Sequence, residues 1–134
     1  MNDLDVSELA TRLQNGEVPT ATTRDPLAPG DVCHFVAPVR FGRRRPDKYG
    51  HLVLTAGWLK FRGAQDMTVA WDEVAEARLT GREIVISLDA SRRLLRFACH
   101  SEAEAARGGL IAQHLARSAR LRTLDIQAGQ HASI

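Results

Sequence analysis

Five cationic side chains, Arg40, Arg43, Arg44, Arg45 and Lys48, fall within nine residues. Guanidinium groups grip phosphate oxygens two at a time, and each basic side chain near an anionic bilayer contributes about 1 kcal/mol. The stretch can hold a phosphorylated ligand or an anionic membrane surface; charge kept for solubility is the plainer alternative. Nucleic acid is a further polyanion, with Phe41 and Tyr49 as stacking rings. It ranks below the membrane, because the net charge is only +2 and no nucleic-acid motif is present. A second set, Trp58, Lys60 and Arg62, alternates along one strand on its wetter face. A Trp beside cations can anchor a protein partner; otherwise an N-terminal helix covers it.

Two Cys-His dipeptides, Cys33-His34 and Cys99-His100, offer zinc-ligand types. Neighbours in a strand point to opposite faces, and the spacing matches no zinc motif. The expectation is no metal, with those four residues as weak candidates and both cysteines as small core residues. His114 falls on the apolar arc of a helix and reads as a core histidine. No serine sits in a nucleophile elbow, and no Gly-rich phosphate loop precedes a helix. The acidic pairs Asp72-Glu73 and Glu102/Glu104 suit a turn and a helix N-terminus. The expectation is therefore no enzyme and no cofactor.

The surrounding composition fits one ordinary globular domain. At 134 residues, 44% apolar and 25% charged, the chain can bury a core without staples and is not disordered. Two cysteines do not make a disulfide scaffold. Charge is graded along the chain: residues 1–39 carry two Arg against six acids, residues 40–62 seven basic groups against Asp47, and residues 63–134 nine against nine. The acidic start, MNDLDVSELATRL, has no apolar stretch of the signal-peptide kind. No apolar run approaches the roughly 20 residues of a spanning helix. The expected location is cytoplasmic, with peripheral attachment at the inner face of the membrane as the alternative.

The elements that must position these residues read as follows. Residues 6–14 form a short helix with Leu9 and Leu13 on one face, Ser7 as a possible cap and Gly16 as its end. A connector containing Pro19, Pro26 and Pro29 follows. Alternation then predicts strands: 32–39; the hairpin 50–63, with Leu52, Leu54, Leu59 and Phe61 inward; Met67, Val69 and Trp71; Ala75, Ala77 and Leu79; Ile84, Ile86 and Leu88; Leu95 and Phe97. Ser101 and Glu104 make a capping box for a helix over 101–120. Gly108-Gly109 within it predicts close approach to the sheet. The domains are expected at 1–30 (helix and connector), 31–120 (main domain) and 121–134 (flexible tail).

Seven strands and one C-terminal helix is the order of the pleckstrin-homology (PH) superfold. The stretches Cys33-x-Phe35-x-Ala37-Pro38 and Gly50-x-Leu52-x-Leu54-Thr55-x-x-x-Leu59-x-Phe61-x-Gly63 resemble bacterial PH-like domains of the GRAM type, and Trp71 stands where those carry an apolar residue. The resemblance covers roughly residues 8–118. It implies a mainly β fold with α: a PH-like barrel of about seven antiparallel strands, capped by the C-terminal helix, plus the short N-terminal helix. In lipid-binding relatives the loop corresponding to 40–48 grips an inositol phosphate, although here it is shorter than in many. The expected function is a non-enzymatic interaction module that binds a protein partner or self-associates through exposed strand edges. The alternative is an anionic phospholipid or phosphorylated ligand at Arg40, Arg43, Arg44, Arg45 and Lys48.

Overall fold

A computed structural model describes residues 6–42, 48–89 and 93–132, with side-chain surroundings through Leu124. Helix α1 spans Val6–Gln14. Seven strands follow: β1 Cys33–Phe41, β2 Tyr49–Thr55, β3 Trp58–Gly63, β4 Met67–Ala70, β5 Val74–Thr80, β6 Glu83–Leu88 and β7 Leu94–Ala98. A single 3-10 turn, Trp71–Glu73, joins β4 to β5, and helix α2 runs Glu102–Ala132. All strand pairs are antiparallel, in the order β4-β3-β2-β1-β7-β6-β5. The expected mainly β fold with a C-terminal helix and a short N-terminal helix is therefore present, with α2 reaching well past 120.

The inward faces follow the alternation. Leu52, Leu54, Leu59 and Phe61 are buried in register, Leu54 opposite Leu59 and Leu52 opposite Phe61. Ile84, Ile86, Leu95 and Phe97 close the other half of the core. Phe41 belongs here too, not among surface stacking rings: its ring lies 5.1 Å from both Phe61 and Phe97. Aromatic pairs at such offsets add to simple area burial. Trp71 is buried in the 3-10 turn, and its indole N–H donates to the Thr55 carbonyl at 2.8 Å. In β5 the register slips between Val74 and Glu76, so Val74 and Ala77 are the buried positions. Ala75 is half-buried and Leu79 lies near the surface, where straight alternation had put both inward.

Helix α1 starts at Val6, which places Ser7 within it. Its end is a Schellman-type cap. Gly16 takes φ of 79°, Gly16 N–H donates to Leu13, and Glu17 N–H reaches back to Arg12. Leu9 and Leu13 bury against α2 and the core, which supplies the packing so short a helix needs. The connector then runs over the outer face of the first sheet. Ala21 N–H donates to the Cys33 carbonyl at 2.9 Å, and His34 Nδ1 lies 2.8 Å from the Pro19 carbonyl.

Helix α2 covers the β5 side. Ser101 Oγ accepts the Glu104 N–H at 3.1 Å, the serine half of the expected capping box, while Glu104 Oε1 is buried without a partner. The two glycines meet the sheet. A Cβ on Gly108 would stand 2.8 Å from Ile84 Cδ1 and the Phe35 ring, and one on Gly109 would run into Leu79. Along the β5 edge, Gln113 Nε2 donates to the Ala77 carbonyl, and Arg120 Nη2 donates to those of Val74 and Ala75. One sheet edge is thereby covered, and β4 is left as the other.

Candidate interaction sites

The outer face of the first sheet is built in rows. Val36, Val53, Lys60 and Thr68 lie side by side across β1 to β4; Pro38, His51 and Arg62 form the next row; Arg40 and Tyr49 the next. The first row is not the wetter surface that alternation suggests. Val53 and Lys60 are buried, because connector residues pack over them. Lys60 Nζ donates to Asp25 Oδ2 at 3.0 Å and to the Pro26 carbonyl, and Arg62 Nε donates to Asp25 Oδ1 at 2.7 Å. The hydrogen bond from Arg62 is the main cause holding the Asp25 carboxyl below its ordinary 3.8; burial opposes it, and Lys60 adds to it.

Of the proposed partner-facing set, then, Lys60 is spent inside the fold and Arg62 is half-buried on the same carboxylate. Trp58 differs. It is 39% exposed, while its backbone N–H is held by Thr55 Oγ1 at 3.0 Å. Val32, 42% exposed, flanks the same β2–β3 turn through its carbonyl bond from Ala56. Leu27, 37% exposed, follows the Pro26 that caps Lys60. The connector thus takes Lys60 out of the partner-facing set and leaves Trp58 exposed.

The third row opens into a cleft of about 890 Å³. It lies where β1 meets β7 for only two residue pairs, Arg40 with Ala98 and Phe41 with Phe97. Outward residues with small side chains, Pro38 and Ala98, line it, together with the backbone of Gly50. Tyr49 and His51 come from the β2 side, Arg82 from the β5–β6 turn, and His100 from the segment after β7. Arg40 lies among them, and its Nε is buried without a hydrogen-bond partner. The acidic lining residue, Glu83, is turned to Arg96 at 3.5 Å. Of the five cations expected to act as a loop site, Arg43, Arg44 and Arg45 lie outside the described residues. Lys48 is exposed, with Nζ 5.7 Å over the Phe41 ring.

The two Cys-His dipeptides do not share a centre. Cys33 opens β1, whereas Cys99 follows Ala98, the partner of Arg40 near the other end of β1. Seven residues of strand separate those ends, about 23 Å. Both thiols are buried and pushed up by burial, Cys99 to about 11. Among the described residues no group of three or more His, Cys, Asp or Glu could hold a metal ion. His114 on α2 is half-buried and its imidazole is lowered, first by burial and then by Arg117 and His34.

Sequence reasoning passed over Asp25, His51 and Arg82. His51 carried a usable signal, sharing the outward parity of Tyr49 and Val53 in a strand whose inward parity was clear. Asp25, in a proline-rich connector 35 residues from Lys60, carried none.

Comparison with known proteins places the fold. No protein-family model matches the sequence, and no curated protein matches it. Among solved structures, the Vps36 N-terminal PH domain is similar over 77% of this chain and 94% of its own, with a TM-score of 0.60 and 12% identity. The C-terminal domain of an unknown protein from Leishmania infantum is similar over 65% of this chain and 87% of its own, with a TM-score of 0.53 and 16% identity. At such identities the likeness speaks to architecture alone. The seven antiparallel strands and C-terminal helix make this a PH-like fold.

Proposed function

We propose that the chain is a non-enzymatic PH-like interaction module that docks a protein partner at the Trp58 corner. The observation that carries this is an exposed tryptophan, Trp58, set beside β4 through its pairing with Ala70. Aromatic anchors of this kind carry a large share of binding energy at protein interfaces. A short sheet edge beside the anchor adds main-chain groups that a partner strand, or a second copy, can pair. The GRAM-type resemblance of residues 33–63 supports a bacterial domain of that type. A cytoplasmic location fits this reading, and among the described residues no helix is long and apolar enough to cross a membrane.

A photo-crosslinking residue in place of Trp58, in the protein expressed in its native cells, tests this reading. Arg78, exposed on the opposite sheet half, is the control position. A discrete adduct from position 58 and not from 78 is expected, and its mass separates a foreign partner from a second copy. Equal labelling at both positions, or none at 58, would sink it.

A second reading has its own observation, the buried and unpartnered Nε of Arg40. It supports binding of an anionic phospholipid or phosphorylated ligand at residues 40–48, with peripheral attachment to the inner face of the membrane. Vesicle co-sedimentation tests it. Binding to anionic but not neutral vesicles, weakened by salt, is the expected result. No sedimentation under any condition ends it.

A further inference from the structure

The geometry points to a phosphate-binding cleft on the outer sheet face, formed by Arg40, His51, Arg82 and His100 and separate from the tip of the basic loop. The inference deepens the anionic-ligand reading and rests on it, but it moves the site from the loop to a walled groove.

Four observations converge. The cleft, about 890 Å³, is large enough for a phosphorylated small molecule or headgroup. Side chains from separate elements face it: β1 supplies Arg40, β2 His51, the β5–β6 turn Arg82, and the segment between β7 and α2 His100. Its positive character is not cancelled internally, since Glu83 is held by Arg96 at 3.5 Å. Finally, Arg40 Nε is buried without a partner. A buried guanidinium N–H without an acceptor is costly, and an anion that draws the side chain into the cleft supplies the acceptor it lacks.

The lining also selects the chemistry. Arginine forks match the oxygens of a phosphomonoester, and imidazole N–H groups add donors. Tyr49, 62% exposed at the rim, offers a face for a ring or a sugar attached to the phosphate. Pro38 and Ala98 keep the lining low beside Arg40. A phosphomonoester is the shared chemistry, whether it comes from a soluble metabolite or a lipid headgroup.

Residue-resolved NMR of the full chain, titrated with inorganic phosphate and with phenyl phosphate, is the test. Vesicles of phosphatidylcholine with and without phosphatidic acid form the membrane arm. Two variants separate the sites: Arg82→Ala/His100→Ala for the cleft, and Arg43→Ala/Arg44→Ala/Arg45→Ala for the loop. Both cleft positions are exposed, so their truncation leaves the core intact. The expected result is amide shifts centred on His51, Arg82, Ala98 and His100, with binding weakened about tenfold or more in the cleft variant and little in the loop variant. Cleft-dependent binding of soluble phosphates alone identifies a small-molecule source. Cleft-dependent sedimentation with phosphatidic acid identifies a headgroup. Binding lost only in the loop variant would overturn the cleft and leave the loop reading standing. Equal weakening by both variants, or no binding of any probe, would also overturn it.

Discussion

At the scale of single residues, Asp25 has the largest consequence. It neutralises Lys60, a buried cation, and Arg62 together. Removing Asp25 strands the buried Lys60 charge, whereas replacing Lys60 by an apolar side chain of similar length leaves Asp25 paired with Arg62. Asp25→Ala is therefore expected to cost about 3 kcal/mol in urea denaturation, and Lys60→Met within about 1 kcal/mol. The pH dependence follows from the lowered carboxyl. The unfolded chain takes up this proton at a higher pH than the folded one, so the contribution is complete above the ordinary carboxylate value and is lost as pH falls through the folded value, below 3.8. Asp25→Asn should flatten the acid limb of stability against pH; an unchanged limb would remove Asp25 from the account. The thiols behave oppositely. Cys33 and Cys99 are buried with raised thiol values, so a thiol reagent at pH 8 should label neither until denaturant unfolds the chain.

Between elements, the two glycines of α2 separate helix propensity from packing. Alanine in mid-helix gains about 1 kcal/mol over glycine. At Gly108 the new methyl meets Ile84 and Phe35, both buried, and overpacking of about 1–3 kcal/mol outweighs the gain. At Gly109 it meets Leu79, which lies near the surface and can swing outward. Gly108→Ala should lower the melting temperature, and Gly109→Ala should lower it less or not at all. The reverse order would mean that α2 does not sit against β1 and β6 as described. The two sheet edges differ in the same spirit. Gln113 and Arg120 occupy β5 carbonyls, so Gln113→Ala/Arg120→Ala should raise light scattering on heating by freeing that edge, beyond what either Arg122→Ala, at an exposed position of the same helix, or the wild type shows.

For the molecule as a whole, the N-terminal arm is part of the fold. Leu9 is buried in the common core, and the connector lies over the outer sheet face. Arm and barrel should therefore unfold together. Leu9→Ala is expected to cost about 3 kcal/mol, with amide protection in β1–β3 falling in parallel with that in α1. Protection lost in α1 alone would make the arm an independent appendage.

Much of this was legible in the chain itself. The alternation of Leu52, Leu54, Leu59 and Phe61, the switch to a helical period after Ser101, and the glycine pair all have local causes. Strand pleating, side-chain capping and the missing Cβ act over a few residues, so sequence determined the strands, the helices and the inward faces of the β2–β3 hairpin, β6 and β7, but not that of β5, where the register slips. Only tertiary structure decided which outward faces are wet. Lys60 is buried because Asp25, 35 residues away, reaches it, and Phe41 is a core ring because β7 brings Phe97 to it. The cleft lies where β1 and β7 meet for two pairs, and it brings together Arg40, Arg82 and His100, which spread over 60 positions of sequence. Such contacts depend on how sheets close and connectors drape. No local periodicity encodes that, because the energy resides in pairs far apart in sequence.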